Sequence, residues 1–224
     1  MHNRFPRSLL VSITLFVLFI VFTIVLTLID VQPIGPEGIN VGFAVINQAI
    51  FQKIGVHLNW YTFTDWFSLF PVLFAFYFAA IGLYQLIKRK SFRKVDSEIL
   101  ILGLFYLTVI FVYLFFEKVI INYRPVMMNG ILEASYPSSH TMVVICIMAT
   151  GVKQLNILYP QSQRFCVFIN AAAAIIIAVT VFGRLYSGVH WFTDIIGGLL
   201  ISSALVSLHL FLIKLAGKEK SKRN

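Results

Sequence analysis

Six uninterrupted apolar runs, each about as long as a bilayer-crossing helix, constrain this chain more than any other feature. They cover residues 8–29, 66–87, 99–116, 138–159, 165–182 and 191–213. Crossing about 30 Å of hydrocarbon takes about 20 residues of α-helix. A backbone in lipid must also satisfy its own hydrogen bonds, which helices do. The runs therefore predict an all-α polytopic membrane protein with six transmembrane helices, in one domain spanning 1–224. The first run is too long for the apolar core of a signal peptide and lacks a small-residue cleavage site, so it reads as an uncleaved anchor. Hydrophobic residues make up 59% of the chain and charged residues 12%, with a mean hydropathy of +0.87. So few charges cannot cover a soluble globule, and so many apolar residues exclude disorder, collagen and disulfide scaffolds.

The net charge of +9 does not point to nucleic acid, because the basic residues sit in short clusters between the runs. The N-terminus, the 88–94 loop, the 153–164 connection and the C-terminal tail hold all of the 18 Lys and Arg except Lys53, Lys118, Arg124 and Arg184. The positive-inside rule then places both termini in the cytoplasm of a multi-pass cell-membrane protein. The two cysteines, Cys146 and Cys166, fall toward opposite membrane faces and read as unpaired apolar residues.

The segment 30–65 is an extracytoplasmic loop on this reading. It opens with the turn residues Pro33, Gly35, Pro36 and Gly38. Residues 39–56 carry Phe43, Ile46, Ile50 and Ile54 at helical spacing. They read either as an amphipathic helix in the interface or as a loop packed on the bundle. Trp60, Tyr61, Trp66 and Trp191 fit an outer aromatic belt. Gly197, Gly198 and Ser202 suggest a close helix contact, and Pro71 is tolerable inside a span. His2, His57 and His209 lack partner patterns and read as structural or solvated.

Three polar stretches, 118–125, 136–140 and 183–194, fall on one membrane face. Charge costs most inside a membrane, so it marks functional or paired groups there. His190 and Asp194 share a helix face at a spacing of four, and such a carboxylate orients an imidazole. Arg124 and Arg184 can clamp a phosphate with their guanidinium forks. Pro137 ends any preceding helix and Ser138 suits an N-cap. The free N–H groups that follow, with the hydroxyls of Ser138 and Ser139, form an anion cradle beside His140.

Together these stretches resemble the tripartite signature of the type 2 phosphatidic acid phosphatase family, shared with vanadium haloperoxidases and bacterial acid phosphatases. Arg124-Pro125 matches the end of the first motif. Pro137, Ser138 and His140 match the second, with Ser139 in place of its glycine. Arg184, His190 and Asp194 match the third at the correct spacing, with Gly183 in place of its serine. Lys118 lies six positions before Arg124, one too few, and Glu117 occupies the family's lysine position.

The resemblance implies a lipid phosphatase acting on a substrate such as undecaprenyl diphosphate, phosphatidylglycerol phosphate or phosphatidic acid at the outer leaflet. His190 would attack phosphorus, Asp194 would orient it, and His140 would serve as acid and then base. Arg124, Arg184, Ser138, Ser139 and, through its long stem, Lys118 would hold the phosphoryl oxygens. No metal or other cofactor, nucleic acid or obligatory protein partner is implied. A lipid phosphotransferase and a non-catalytic lipid-phosphate binder with a decayed site are the alternatives.

Overall fold

The computed structural model describes the backbone of residues 7–223 and the side chains of residues 7–217. His2, Arg4 and the basic side chains after Gly217 lie outside the described residues, and so do the readings that fall on them. The described residues form α1 (Arg7–Leu28), α2 (Ala44–Ile54), α3 (Leu58–Phe67), α4 (Leu69–Arg89), α5 (Ser97–Lys118), α6 (Ser139–Leu158), α7 (Gln163–Tyr186) and α8 (Phe192–Arg223). Strand pairing among them is confined to isolated bridges. Six helical stretches are long and apolar enough to span a membrane, as the six runs require.

α6 is the most buried of the six, and it packs against α4, α5, α7 and α8, while α1 lies along α8. The outer helices turn large apolar side chains outward, among them Val17, Phe76, Leu104, Phe111 and Phe168. Thr141, Gln154, Ser202 and His209 are buried between the helices. An apolar exterior around a partly polar interior is how a lipid-facing bundle should look. Cys146 and Cys166 are both free thiols.

The second span begins earlier than hydropathy suggests, at Leu58 rather than 66, with a break at Ser68 between α3 and α4. Pro71 supplies the physical reason. It has no N–H for the Phe67 carbonyl four residues back, so the helix interrupts there. Ser68 consolidates the break by donating its hydroxyl to the Asp65 carbonyl (2.6 Å).

Residues 44–54 of the outer segment are helical and packed on the bundle. Asn47 of α2 is buried, donates to the Thr193 hydroxyl (3.0 Å) and accepts from the Thr193 N–H (3.2 Å). A side chain from α2 thus caps the first turn of α8. Gly188 keeps this end tight. Its φ is +68°, and a Cβ would meet the Gly55 carbonyl oxygen at 2.1 Å.

Candidate active site

All three polar stretches meet at one end of the bundle. Arg124 lies on the hairpin-like loop between α5 and α6, its N–H donating to the Glu133 carbonyl (3.0 Å). Its guanidinium Nη2 pairs with Glu133 Oε2 at 3.1 Å. Arg184 comes from the last turn of α7 and is fully buried. The Tyr61 ring of α3 faces both guanidiniums, 4.8 Å from Arg184 and 5.6 Å from Arg124. The two arginines therefore converge around one aromatic face.

His190 precedes α8, and Asp194 lies in its first turn. Asp194 is fixed from three directions. Its Oδ2 accepts from the Trp191 N–H (2.9 Å), its Oδ1 from Asn122 Nδ2 (3.3 Å), and its carbonyl from the Ser138 N–H (3.0 Å). Asp194 Oδ2 stands 3.6 Å from His190 Nδ1, so the carboxylate faces that nitrogen and leaves Nε2 for another role. Burial lowers the His190 pKa to about 4. Asp194 opposes that shift, and Arg124 and Arg184 add to it. The imidazole is neutral at physiological pH, the state in which a histidine can accept a proton or form a bond through a free nitrogen.

Ser138 occupies the N-cap position of α6, but its hydroxyl caps nothing. Its Oγ is buried without a partner, as are Nε and Nη1 of both Arg124 and Arg184, Nδ1 of His140, and both ring nitrogens of His190. Buried polar groups are normally paired. So many orphans at one place, most of them donors, describe a seat for an oxyanion.

Two further residues complete the wall. Asp65 of α3 places Oδ1 3.1 Å from His140 Nε2 and also pairs with Arg184 Nη2. Tyr136, just before the cis Pro137, bonds Thr23 of α1 through its hydroxyl (2.7 Å), and Gly197 makes room for its ring. Gly198 likewise lies against Thr141 and the Ser138 carbonyl, so the glycine pair is the close contact its composition suggested.

The sequence profile of the PAP2 superfamily matches residues 67–216. The chain belongs to the PAP2 superfamily. It is 32% identical over 83 residues to lipid phosphate phosphatase delta of Arabidopsis thaliana, covering 37% of this chain and 20% of that one. The match thus spans about a fifth of that relative's length. Its fold is similar to that of a transmembrane PAP2-type phosphatidylglycerolphosphate phosphatase from Bacillus subtilis. The TM-score is 0.61 at 18% identity, covering 96% of this chain and 98% of the other.

The departures from the superfamily motifs have structural correlates. Gly183, where the motif has serine, faces α3, and a Cβ there would come within 2.4 Å of Thr64 Cγ2 and 3.2 Å of Trp60. Ser139 lines a small cleft with Tyr113, Glu117, Ser135 and Pro137 at the end of α5. The residue at the family's lysine position, Glu117, therefore shares a cleft with Ser139. Lys118, one residue further, is exposed at the helix end and has no ion pair or side-chain hydrogen bond among the described residues. A one-residue slip turns a helical side chain by about 100°, and Lys118 does not line that cleft.

Sequence reasoning missed Asp65, Tyr61, Asn122 and Glu133. It assigned Tyr61 and Trp191 to an interfacial belt. Trp191 is instead 2% exposed, and its Nε1 donates to the Tyr123 carbonyl (2.8 Å). A signal for Asp65 existed: it is the sole acid in the aromatic stretch 60–70, where a charge is costly without a partner.

Proposed function

We propose that this chain is an integral membrane phosphatase that hydrolyses lipid phosphates through a phosphohistidine on His190. The observation that carries this reading is the group of orphaned donors on Arg124, Arg184 and Ser138 beside a neutral His190 backed by Asp194. Membership of the PAP2 superfamily supports it. So does the relative named a lipid phosphate phosphatase, while the structural likeness supports the fold.

His190 Nε2 forms a bond to phosphorus as the bond from phosphorus to the lipid oxygen breaks. His140 gives its proton to the departing oxygen. The now neutral His140 takes a proton from water, whose oxygen bonds phosphorus as the P–N bond breaks. Inorganic phosphate leaves and both histidines are restored. Arg124, Arg184 and Ser138 stabilise the charge gathering on the phosphoryl oxygens, on which this chemistry mainly depends. Those cations do work that a metal would otherwise do.

The substrate class on this reading is undecaprenyl diphosphate, phosphatidylglycerol phosphate or phosphatidic acid. The site lies at the opposite end of the bundle from the basic 88–94 and 153–164 connections, which supports an outward-facing position. Covalent labelling tests the mechanism. Brief exposure to radiolabelled lipid phosphate should label the wild-type chain, and His190→Ala should remove the label without unfolding the protein. A His190→Ala chain that still labels would overturn the nucleophile assignment.

A further inference from the structure

Each of the basic side chains around the oxyanion seat has a carboxylate on another of its nitrogens. Glu133 takes Arg124 Nη2, leaving Nε and Nη1 unpartnered. Asp65 takes Arg184 Nη2, leaving the same two nitrogens unpartnered. Asp65 also takes His140 Nε2, leaving Nδ1 buried and unpartnered. Asp65 therefore bridges two of the groups on which the proposed hydrolysis depends, and it belongs to none of the three motifs.

We infer that Asp65 is a positioning residue, holding Arg184 and His140 in register so that their remaining nitrogens meet the phosphoryl group together. A guanidinium held at one corner presents its other N–H groups in a fixed direction, and an imidazole held at one nitrogen presents the other. Long side chains otherwise lose rotamer entropy when the transition state forms. Pre-paid orientation of this kind lowers the barrier more than it tightens substrate binding.

Gly183 is the second part of the device. α3 brings Asp65 to the site only because it packs directly on the end of α7, and Thr64, next to Asp65, occupies the space that a Cβ on Gly183 would need. Thr64 is itself fixed, its hydroxyl lying within bonding distance of the Trp60 (2.9 Å) and Tyr61 (3.0 Å) carbonyls. The glycine that departs from the superfamily motif and the aspartate outside it form one unit.

This inference rests on the proposed phosphatase reading, and a double-mutant cycle on the full chain in detergent tests it. The substrate is dioctanoyl phosphatidic acid. Asp65→Asn should lower kcat about 100-fold while KM stays within about three-fold. Gly183→Ala, which alters no ionisable group, should lower kcat at least ten-fold. In the Asp65→Asn background it should cost nothing further, and Thr64→Ser, which removes the obstructing methyl, should restore most of the loss. Additive losses, or unchanged kcat in both single variants, would overturn the positioning role. Vanadate affinity provides a readout that does not need turnover. Asp65→Asn should weaken it about ten-fold, with Tm close to wild type. Tighter vanadate binding would mean that Asp65 competes for the seat, which contradicts the inference. If the wild-type chain binds vanadate but releases no phosphate, the phosphatase reading fails, and the vanadate series still decides the role of Asp65.

Discussion

At the scale of single residues, chemistry is set by which nitrogen each carboxylate takes. Asp194 faces His190 Nδ1 at 3.6 Å, so in the proposed mechanism the attacking atom is Nε2, and a pKa of about 4 keeps it unprotonated. A base with a lowered pKa is competent above that value and lost as pH falls through it. Rapid-quench labelling should therefore show an acid limb near pH 4, and a limb near the ordinary histidine value of about 6.5 would contradict the burial argument. Lys118 is the residue on which motif and structure disagree. From the exposed end of α5 its long flexible stem lets the ammonium help only in part, so Lys118→Ala should lower kcat/KM by about ten-fold, or about 1.4 kcal/mol. Arg124→Ala and Arg184→Ala should cost considerably more. A Lys118→Ala chain as inactive as His190→Ala would show that the lysine reaches the phosphate after all.

At the scale of elements, the site depends on helices that contribute no motif residue. α2 caps α8 through Asn47, whose removal leaves the buried Thr193 N–H and hydroxyl without their partner. Asn47→Ala should cost about 1–2 kcal/mol, read as a lowered Tm in detergent. No change in Tm would show that α2 is not fastened there. These contacts explain what was legible in the sequence. The six spans were, because about 20 apolar residues in a row have no other use. The sequence also singles out His140, His190, Asp194, Arg124, Arg184 and Ser138 by type and spacing, and the fold gathers them at one end of the bundle; the roles given to them belong to the proposed function. Asp65, Tyr61, Asn122 and Glu133 were not singled out. They act across long chain separations, and no local period announces that α3 will lie on α7 or that Pro71 will break the helix to let it. Gly183 was visible as a departure, but its reason, Thr64, exists only in the packed bundle.

At the scale of the whole molecule, a dense cluster of buried, unpartnered polar atoms lies at one end of the bundle and the basic connections at the other. Single cysteines at Asn129 and Ser91, in a background without Cys146 and Cys166, test the orientation. An impermeant reagent on intact cells should reach position 129 and spare 91, and the reverse pattern would put the chemistry in the cytoplasm. In the proposed reaction, buried arginines and a neutral histidine hydrolyse a lipid phosphate with no metal among the working groups. Phosphate release by the purified full chain in detergent, measured over a panel of lipid phosphates in excess EDTA, tests it most directly. Release should be unchanged by EDTA, inhibited by vanadate and abolished by His190→Ala. Release that stops with EDTA and returns with magnesium would contradict the proposed reaction.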